Sequence, residues 1–228
     1  LWLLMREQTQ GWATLEQDAL RLDRLLRERQ RESKKFFTGA ASKWDELRHE
    51  LYGSNFTQAA MLALLPADWT VADLGCGTAS VAADLAQHVH QVIGVDHSEA
   101  MLKAGRKRTA GLTNVDLRRG DLEAIPVDDA ACDAALLVLV LTYIAEPTAA
   151  LREMARITRP GGKAVIVDLL KHDRDDFRRQ MGQHWMGFDP TDMKSMLKLA
   201  GFEIVQCNAL PPEPQAKGPA LMLATATK

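Results

Sequence analysis

VADLGCGTAS, residues 71–80, carries an apolar run through Asp73 and Leu74 and then turns on Gly75 and Gly77. A short apolar run closed by glycines and followed by a helix-like stretch reads as a buried strand entering a turn and a helix. The same alternation continues outward. Further strand-like runs at 91–95, 114–118, 132–140 and 162–169 alternate with helix-like stretches at 78–88, 98–109 and 147–158. That rhythm predicts βαβ units and a parallel sheet. Gly161-Gly162, after Arg159-Pro160, is expected to end the third of these helices and turn the chain into a strand. A helix near 191–200 leads to a strand at 202–207, a turn "PPEPQAKG" and a last strand at 219–226. Strands joined directly pair antiparallel. The expected fold class is α/β: a doubly wound, mostly parallel seven-stranded sheet, with an N-terminal helical extension and an antiparallel C-terminal hairpin.

The N-terminal part reads differently. Leu1–Leu4 is expected to be the end of a strand. Leu15, Ala19, Leu22 and Leu26 recur at spacings of four, three and four, a helical stripe running into a basic stretch at 21–35. A solvated helix face and a dimerising helix both fit that pattern. Residues 36–65 read as an amphipathic helical cap with Trp44, Leu47, Leu51 and Tyr52 as anchors. The expected domains are an extension at 1–35 and a second domain at 36–228. The 228 residues carry 28 Lys and Arg against 30 Asp and Glu, so charge points neither to nucleic acid nor to a membrane surface. Three scattered cysteines, Cys76, Cys132 and Cys207, fit a reducing cytoplasm and speak against a zinc or disulfide framework. A cytoplasmic location is expected, because no run is long enough to span a membrane.

The glycine turn has a chemistry of its own. A dinucleotide fingerprint needs a third glycine, at position 80, where Ser80 stands. Asp73, two residues before the first glycine, would repel a pyrophosphate but suits a cation. S-adenosylmethionine carries an ammonium and a sulfonium and no phosphate, so the electrostatics favour it. Asp96, closing "VIGVD" 23 positions after Asp73, suits hydrogen bonding to ribose hydroxyls. Asp121 in "RRGDLE" is placed to accept from an adenine amino group, with Leu122 packing on the ring. Three acids after three successive strands line the carboxyl ends of one sheet, where open α/β folds bind ligands.

"VADLGCGTAS", "VIGVDHSEAML", "GDLEAIPVDDAACDAALL" and "ITRPGGKAVIVD" resemble, in order, the motifs of the Rossmann-like class I S-adenosylmethionine-dependent methyltransferases. The resemblance covers about residues 66–226. It implies that Asp73, Gly75, Cys76 and Gly77 surround the methionine moiety and Asp96 the ribose. Asp121 and Leu122 would hold the adenine, His97 and Met101 would flank ribose and adenine, and the backbone near Val138 would meet the amino acid end. S-adenosylhomocysteine would be the product. Ala79 stands where the family usually has glycine, and modestly altered packing is expected. "FFTGAASKWDELRHELYG", "VLTYIAEP" and "VDLLKHDRDDFRRQMGQHWMGF" resemble a bacterial subgroup whose methyltransferase domain follows an ArsR-type winged-helix DNA-binding domain. That resemblance implies that residues 1–35 are the end of a winged helix and its dimerisation helix, with DNA as a partner through an upstream domain and a homodimer as the assembly.

Methyl transfer needs a nucleophile placed near the methyl carbon and, where required, a base. Tyr143 in "LTYI" and His172 after the fifth strand are the candidate catalytic residues. Tyr143, His184 and Trp185 are candidates for the substrate wall. Many relatives have a histidine where Thr142 stands, and in the subgroup one where Gln183 stands. No metal site is expected, and the cysteine positions do not suit an arsenic-binding cage. The expected activity is methyl transfer to a small-molecule acceptor. The alternative is a domain that senses S-adenosylmethionine or S-adenosylhomocysteine for an ArsR-type regulator. Nucleic-acid methylation lacks an NPPY-like motif and a basic groove.

Overall fold

The computed structural model describes residues 13–213 and 215–228, so the strand expected at Leu1–Leu4 lies outside the described residues. The chain divides into two compact units, residues 1–58 and 59–228. In the first, α1 (Ala13–Ala40) runs unbroken through position 35, and none of its residues is buried. Its charges pair along the helix, Arg24 with Glu28 and Arg27 with Asp23, as spacing four allows. Phe36, Phe37 and Trp44 form a cluster of edge-on rings at the start of α2 (Trp44–Tyr52). Of the expected anchors, Trp44 and Leu47 are half-buried, whereas Leu51 and Tyr52 are exposed. Gly53 at φ 75° ends α2, and α3 (Asn55–Leu62) follows, with the division between the units inside it.

The second unit is built on seven strands: β1 (Thr70–Leu74), β2 (Gln91–Asp96), β3 (Val115–Arg119), β4 (Cys132–Val138), β5 (Thr158–Leu169), β6 (Glu203–Ala209) and β7 (Leu221–Thr227). Their order is β3-β2-β1-β4-β5-β7-β6, and the first five are parallel. β7 runs antiparallel to both β5 and β6. The helices are α4 (Ser80–Leu85), α5 (Glu99–Arg108), α6 (Pro147–Ile157), α7 (Asp175–Met181) and α8 (Pro190–Leu199). This is the doubly wound sheet with a C-terminal antiparallel pair that the alternating pattern predicts.

The central strands are apolar throughout because both faces of the sheet are covered. On one face Ala72, Leu74, Val95, Leu137 and Ile166 meet Leu151 and Met154 of α6 and Met193 and Leu197 of α8. On the other, Val71, Val92 and Ala134 meet Ala82 and Leu85 of α4. Each fully buried side chain of this size contributes about 1.5–3 kcal/mol. Ser98 and Asp189 cap α5 and α8 through the N–H groups of Met101 and Thr191. Among the described residues, no helix is long and apolar enough to cross a membrane.

Two of the boundaries that differ from the sequence expectation have a clear local cause. α6 ends at Ile157, where Thr158 Oγ1 donates to the Met154 carbonyl and β5 begins at once. Arg159–Gly162 is therefore an irregularity at the start of β5, where the β4–β5 register shifts between Cys132 and Ala134, rather than the helix terminator. Gly161, at φ 75°, donates to the Lys228 carbonyl there. β4 stops at Val138 rather than residue 140, because Leu139 adopts φ 59°, a left-handed conformation no strand continues through.

Candidate functional site

The chain runs outward from β1 to β3 and then returns to the other side of β1 for β4 and β5. The reversal lies between β1 and β4, the position where open α/β sheets bind ligands beyond the strand ends. A cleft of 1030 Å³ opens there.

The glycine turn forms one wall. The N–H groups of Gly75 and Cys76 both donate to the Val95 carbonyl, at 2.7 and 3.1 Å, which folds the turn back onto β2. Gly75 sits at φ 71°, and a Cβ added to it would fall 2.6 Å from Val140, so glycine is required twice over. Ala79 also takes a left-handed conformation, at φ 56°, as the N-cap of α4. Its methyl is fully buried, and Gly105 of α5 makes room for it: a Cβ at position 105 would lie 3.1 Å away. The left-handed conformation costs an alanine roughly 1–2 kcal/mol. Ala79→Gly relieves this but loses a buried methyl, about 0.8 kcal/mol, and adds unfolded-state freedom worth roughly 0.5–1 kcal/mol. The expected net change in stability is therefore below about 1 kcal/mol, measured by urea unfolding.

Asp96 anchors the turn. One carboxylate oxygen accepts from Gly77 N–H and the other from Ser98 N–H, both at 2.8 Å. Asp73 lies behind the cleft wall, 3% exposed, and its Oδ2 has no hydrogen-bond partner. Burial pushes its pKa up to about 6, against the opposing pull of the Ala82 N–H, with a smaller upward push from Asp96. Cys76 is also buried behind the turn, and burial together with Asp73 and Asp96 pushes its thiol up to about 12, so no thiolate is available there near neutrality.

Of the residues singled out in the sequence, Gly75, Gly77, Asp96, His97, Met101, Asp121, Leu122, Tyr143 and His184 line this cleft together. Val138 closes β4, and the wall beside it is made by Leu139 and Val140. Trp185 does not line the cleft; its Nε1 donates to the Ile144 carbonyl at 2.8 Å. His172 is not brought to the cleft either. Its Nδ1 accepts from Arg174 N–H at 3.1 Å, its ring stands edge-on to Phe177, and its buried Nε2 has no partner. Burial and Arg174 lower its pKa, against Asp173. A histidine whose acceptor nitrogen is already used, away from the cleft, is not placed to take a proton there.

Asp168, at the end of β5, was passed over in the sequence. It is fully buried, with Oδ2 accepting from Val140 and Leu141 N–H and Oδ1 from Leu169 N–H. Burial raises its pKa against the N–H groups of Leu169 and Leu141. It thus ties the end of β4 to β5 and holds the turn that carries Tyr143. The signal is in the sequence: "AVIVD" carries an apolar strand to an acid near its carboxyl end, as "VAD" and "VIGVD" do. The Thr142 carbonyl in turn accepts from the N–H groups of His184 and Trp185, at 2.9 and 3.2 Å, which hangs the 184–185 segment on that turn. Among the described residues, no group of three or more His, Cys, Asp or Glu is placed to hold a metal.

Residues 72–166 match a family model described as "Methyltransferase domain". An uncharacterised 37.1 kDa protein in a Streptomyces fradiae transposon is 39% identical over 97 residues, 41% of this chain and 28% of that protein. A demethylmenaquinone methyltransferase of Mycolicibacterium gilvum is 36% identical over 138 residues, 58% of each chain. The chain thus spans less than two thirds of these curated relatives. A solved S-adenosylmethionine-dependent methyltransferase from Aquifex aeolicus superposes with a TM-score of 0.61 at 22% identity, covering 82% of this chain and 97% of that one. Residues 72–166 are thus similar to a methyltransferase domain, and the second unit has the fold of the solved S-adenosylmethionine-dependent methyltransferases.

Proposed function

We propose that this domain transfers a methyl group from S-adenosylmethionine to a small, mainly apolar acceptor that bears a hydroxyl. The observation that carries the reading is the composition of the cleft wall: Asp96, Asp121 and Glu123, two histidines, and neither lysine nor arginine. A wall without a cation suits a phosphate-free nucleoside, and the Asp73 carboxylate behind it, whose Oδ2 has no partner, suits one with positive charge. The cofactor supplies an electrophilic methyl group on a sulfonium. Asp96 keeps lone pairs for ribose hydroxyls, Asp121 accepts from the adenine amino group, and Leu122 packs on the ring. His97 and Met101 flank the nucleoside, and the backbone of Gly75, Cys76, Gly77 and Val138 meets the amino acid end. Tyr143 and His184 face the acceptor, whose apolar walls are Leu139, Val140, Ile144 and Ala145, with Trp185 bracing the carbonyl of Ile144. The relatives named for demethylmenaquinone, an apolar ring compound, support an acceptor of this kind.

Asp73 gives the test its pH dependence. Folding raises its pKa from 3.8 to about 6, so between these values the fold binds the extra proton and this group's contribution to stability rises as pH falls. A cationic ligand needs the opposite state, the carboxylate, and must expel that proton below pH 6. Calorimetric titration with S-adenosylmethionine, which keeps the sulfonium charge, is expected to give an affinity that is flat above pH 6 and falls about tenfold per unit below it. Asp73→Asn is expected to flatten that profile. Binding that is absent, or independent of pH in the wild type, would sink the assignment.

Residues 1–35 belong to the same proposal as an extension that joins two copies of the chain next to an ArsR-type DNA-binding domain. Supporting it, α1 spans 28 residues without burying one and leaves Leu15, Leu22, Leu25 and Leu26 exposed.

A further inference from the structure

The order of the strands converts into an order of functions across the cleft. Asp121 follows β3, Asp96 follows β2 and the glycine turn follows β1, whereas Tyr143 follows β4 and His184 is tied to the same turn. Under the cofactor reading above, nucleoside and methionine occupy the β3-β2-β1 side and the methyl group points toward β4. An acceptor then lies over β4 and β5. Neighbouring strands are about 4.8 Å apart, which puts the end of β2, with His97, roughly 10 Å from the end of β4. His97 also stands beside Asp96, 3.8 Å from its carboxylate, at the ribose end. Asp121 and Glu123 lie a strand further away.

That leaves two titratable side chains on the acceptor side of the cleft, Tyr143 and His184. His184 differs from His172 in each respect that matters. It lines the cleft, it is exposed, and neither ring nitrogen is engaged by another described residue, while its backbone N–H is fixed 2.9 Å from the Thr142 carbonyl. The imidazole is therefore anchored by its main chain and free at both nitrogens.

We propose that His184 is the general base of the reaction and that the acceptor is a hydroxyarene, its ring against Leu139, Ile144 and Ala145 and its hydroxyl at the imidazole. The hydroxyl proton passes to the free ring nitrogen of His184. The acceptor oxygen forms its bond to the methyl carbon as the carbon–sulfur bond breaks, and the bonding pair stays on sulfur, neutralising the sulfonium. The imidazolium then returns its proton to water. Tyr143 orients the hydroxyl and takes no proton.

A chromophoric phenol separates this from the cofactor reading without requiring turnover. The protein is first titrated with S-adenosylhomocysteine, and the complex is then titrated with 4-nitrophenol, whose anion absorbs in the visible. The wild-type complex is expected to bind the phenol and lower its apparent pKa by about one unit, a tenfold change in ionised fraction. His184→Gln is expected to keep its S-adenosylhomocysteine affinity within about twofold and to bind 4-nitrophenol with no shift. An equal shift in His184→Gln, or no phenol binding by a complex that does hold S-adenosylhomocysteine, overturns the assignment of His184 and leaves the cofactor reading standing. Failure to bind S-adenosylhomocysteine overturns both.

Discussion

Asp96→Ala weakens S-adenosylhomocysteine binding by about 100-fold or more, because hydrogen bonds to a charged group are worth roughly 1.5–3 kcal/mol each and 1.4 kcal/mol is tenfold. The carboxylate has two tasks. It holds the N–H groups of Gly77 and Ser98, each at 2.8 Å, and so fixes the second glycine of the turn against the start of α5. Under the proposed function its remaining lone pairs accept from the ribose. Alanine removes both at once and leaves two N–H groups without a partner at the mouth of the cleft. Asp96→Asn retains one acceptor oxygen and the side-chain shape, so its loss falls between wild type and alanine. Calorimetric titration, with circular dichroism to verify folding, measures the series. Wild-type affinity in the alanine variant would remove Asp96 from the site.

The second large effect is on stability. Asp168→Ala strands the N–H groups of buried Leu141 and Leu169 and of half-buried Val140. Each unsatisfied buried donor costs about 1–3 kcal/mol, and with partial relaxation the sum is about 3–5 kcal/mol. For a chain of this size each kcal/mol moves Tm by roughly 2–4 °C, so calorimetry is expected to show a fall on the order of 10 °C. Asp168→Asn keeps one acceptor but turns an amide N–H₂ toward backbone donors, so it is destabilised as well, by less. A variant as stable as wild type would mean that water satisfies the turn between β4 and Tyr143, and the bracing role of Asp168 would fall with it.

What was readable in the sequence is what repeats along it. The periodic apolar runs, the acids that close β1 and β2, the acid after β3 and the glycines between α/β elements follow from local chemistry. A buried parallel strand must be apolar on both faces, and a ligand can approach only where the backbone lacks Cβ atoms. So the strand count, the parallel core, the C-terminal antiparallel pair and the gathering of Gly75, Gly77, Asp96 and Asp121 at one end of the sheet were legible. Ala79 was legible as a departure from glycine but not as a strained one. Its left-handed backbone and its fit against Gly105 arise from the packing of α4 on α5, which no local pattern encodes.

The β4–β5 side of the cleft was the part hidden from the sequence, because its geometry depends on contacts between residues far apart in the chain. His172 and His184 look alike in a single string of polar residues after β5. Only the fold separates them: a backbone bond from His184 to Thr142, 42 positions earlier, turns one histidine into the cleft, while Arg174 and Phe177 engage the other outside it. Asp168 was hidden for the same reason, since an acid ending a strand reveals its role only when the N–H groups of Val140 and Leu141, on another strand's turn, are seen to converge on it. The sequence by itself determined the sheet and the β1–β3 side of the cleft, where strand-end residues act one by one. The tertiary structure alone decided which histidine lines the cleft, since that choice rests on hydrogen bonds between turns that meet only when β4 and β5 pair.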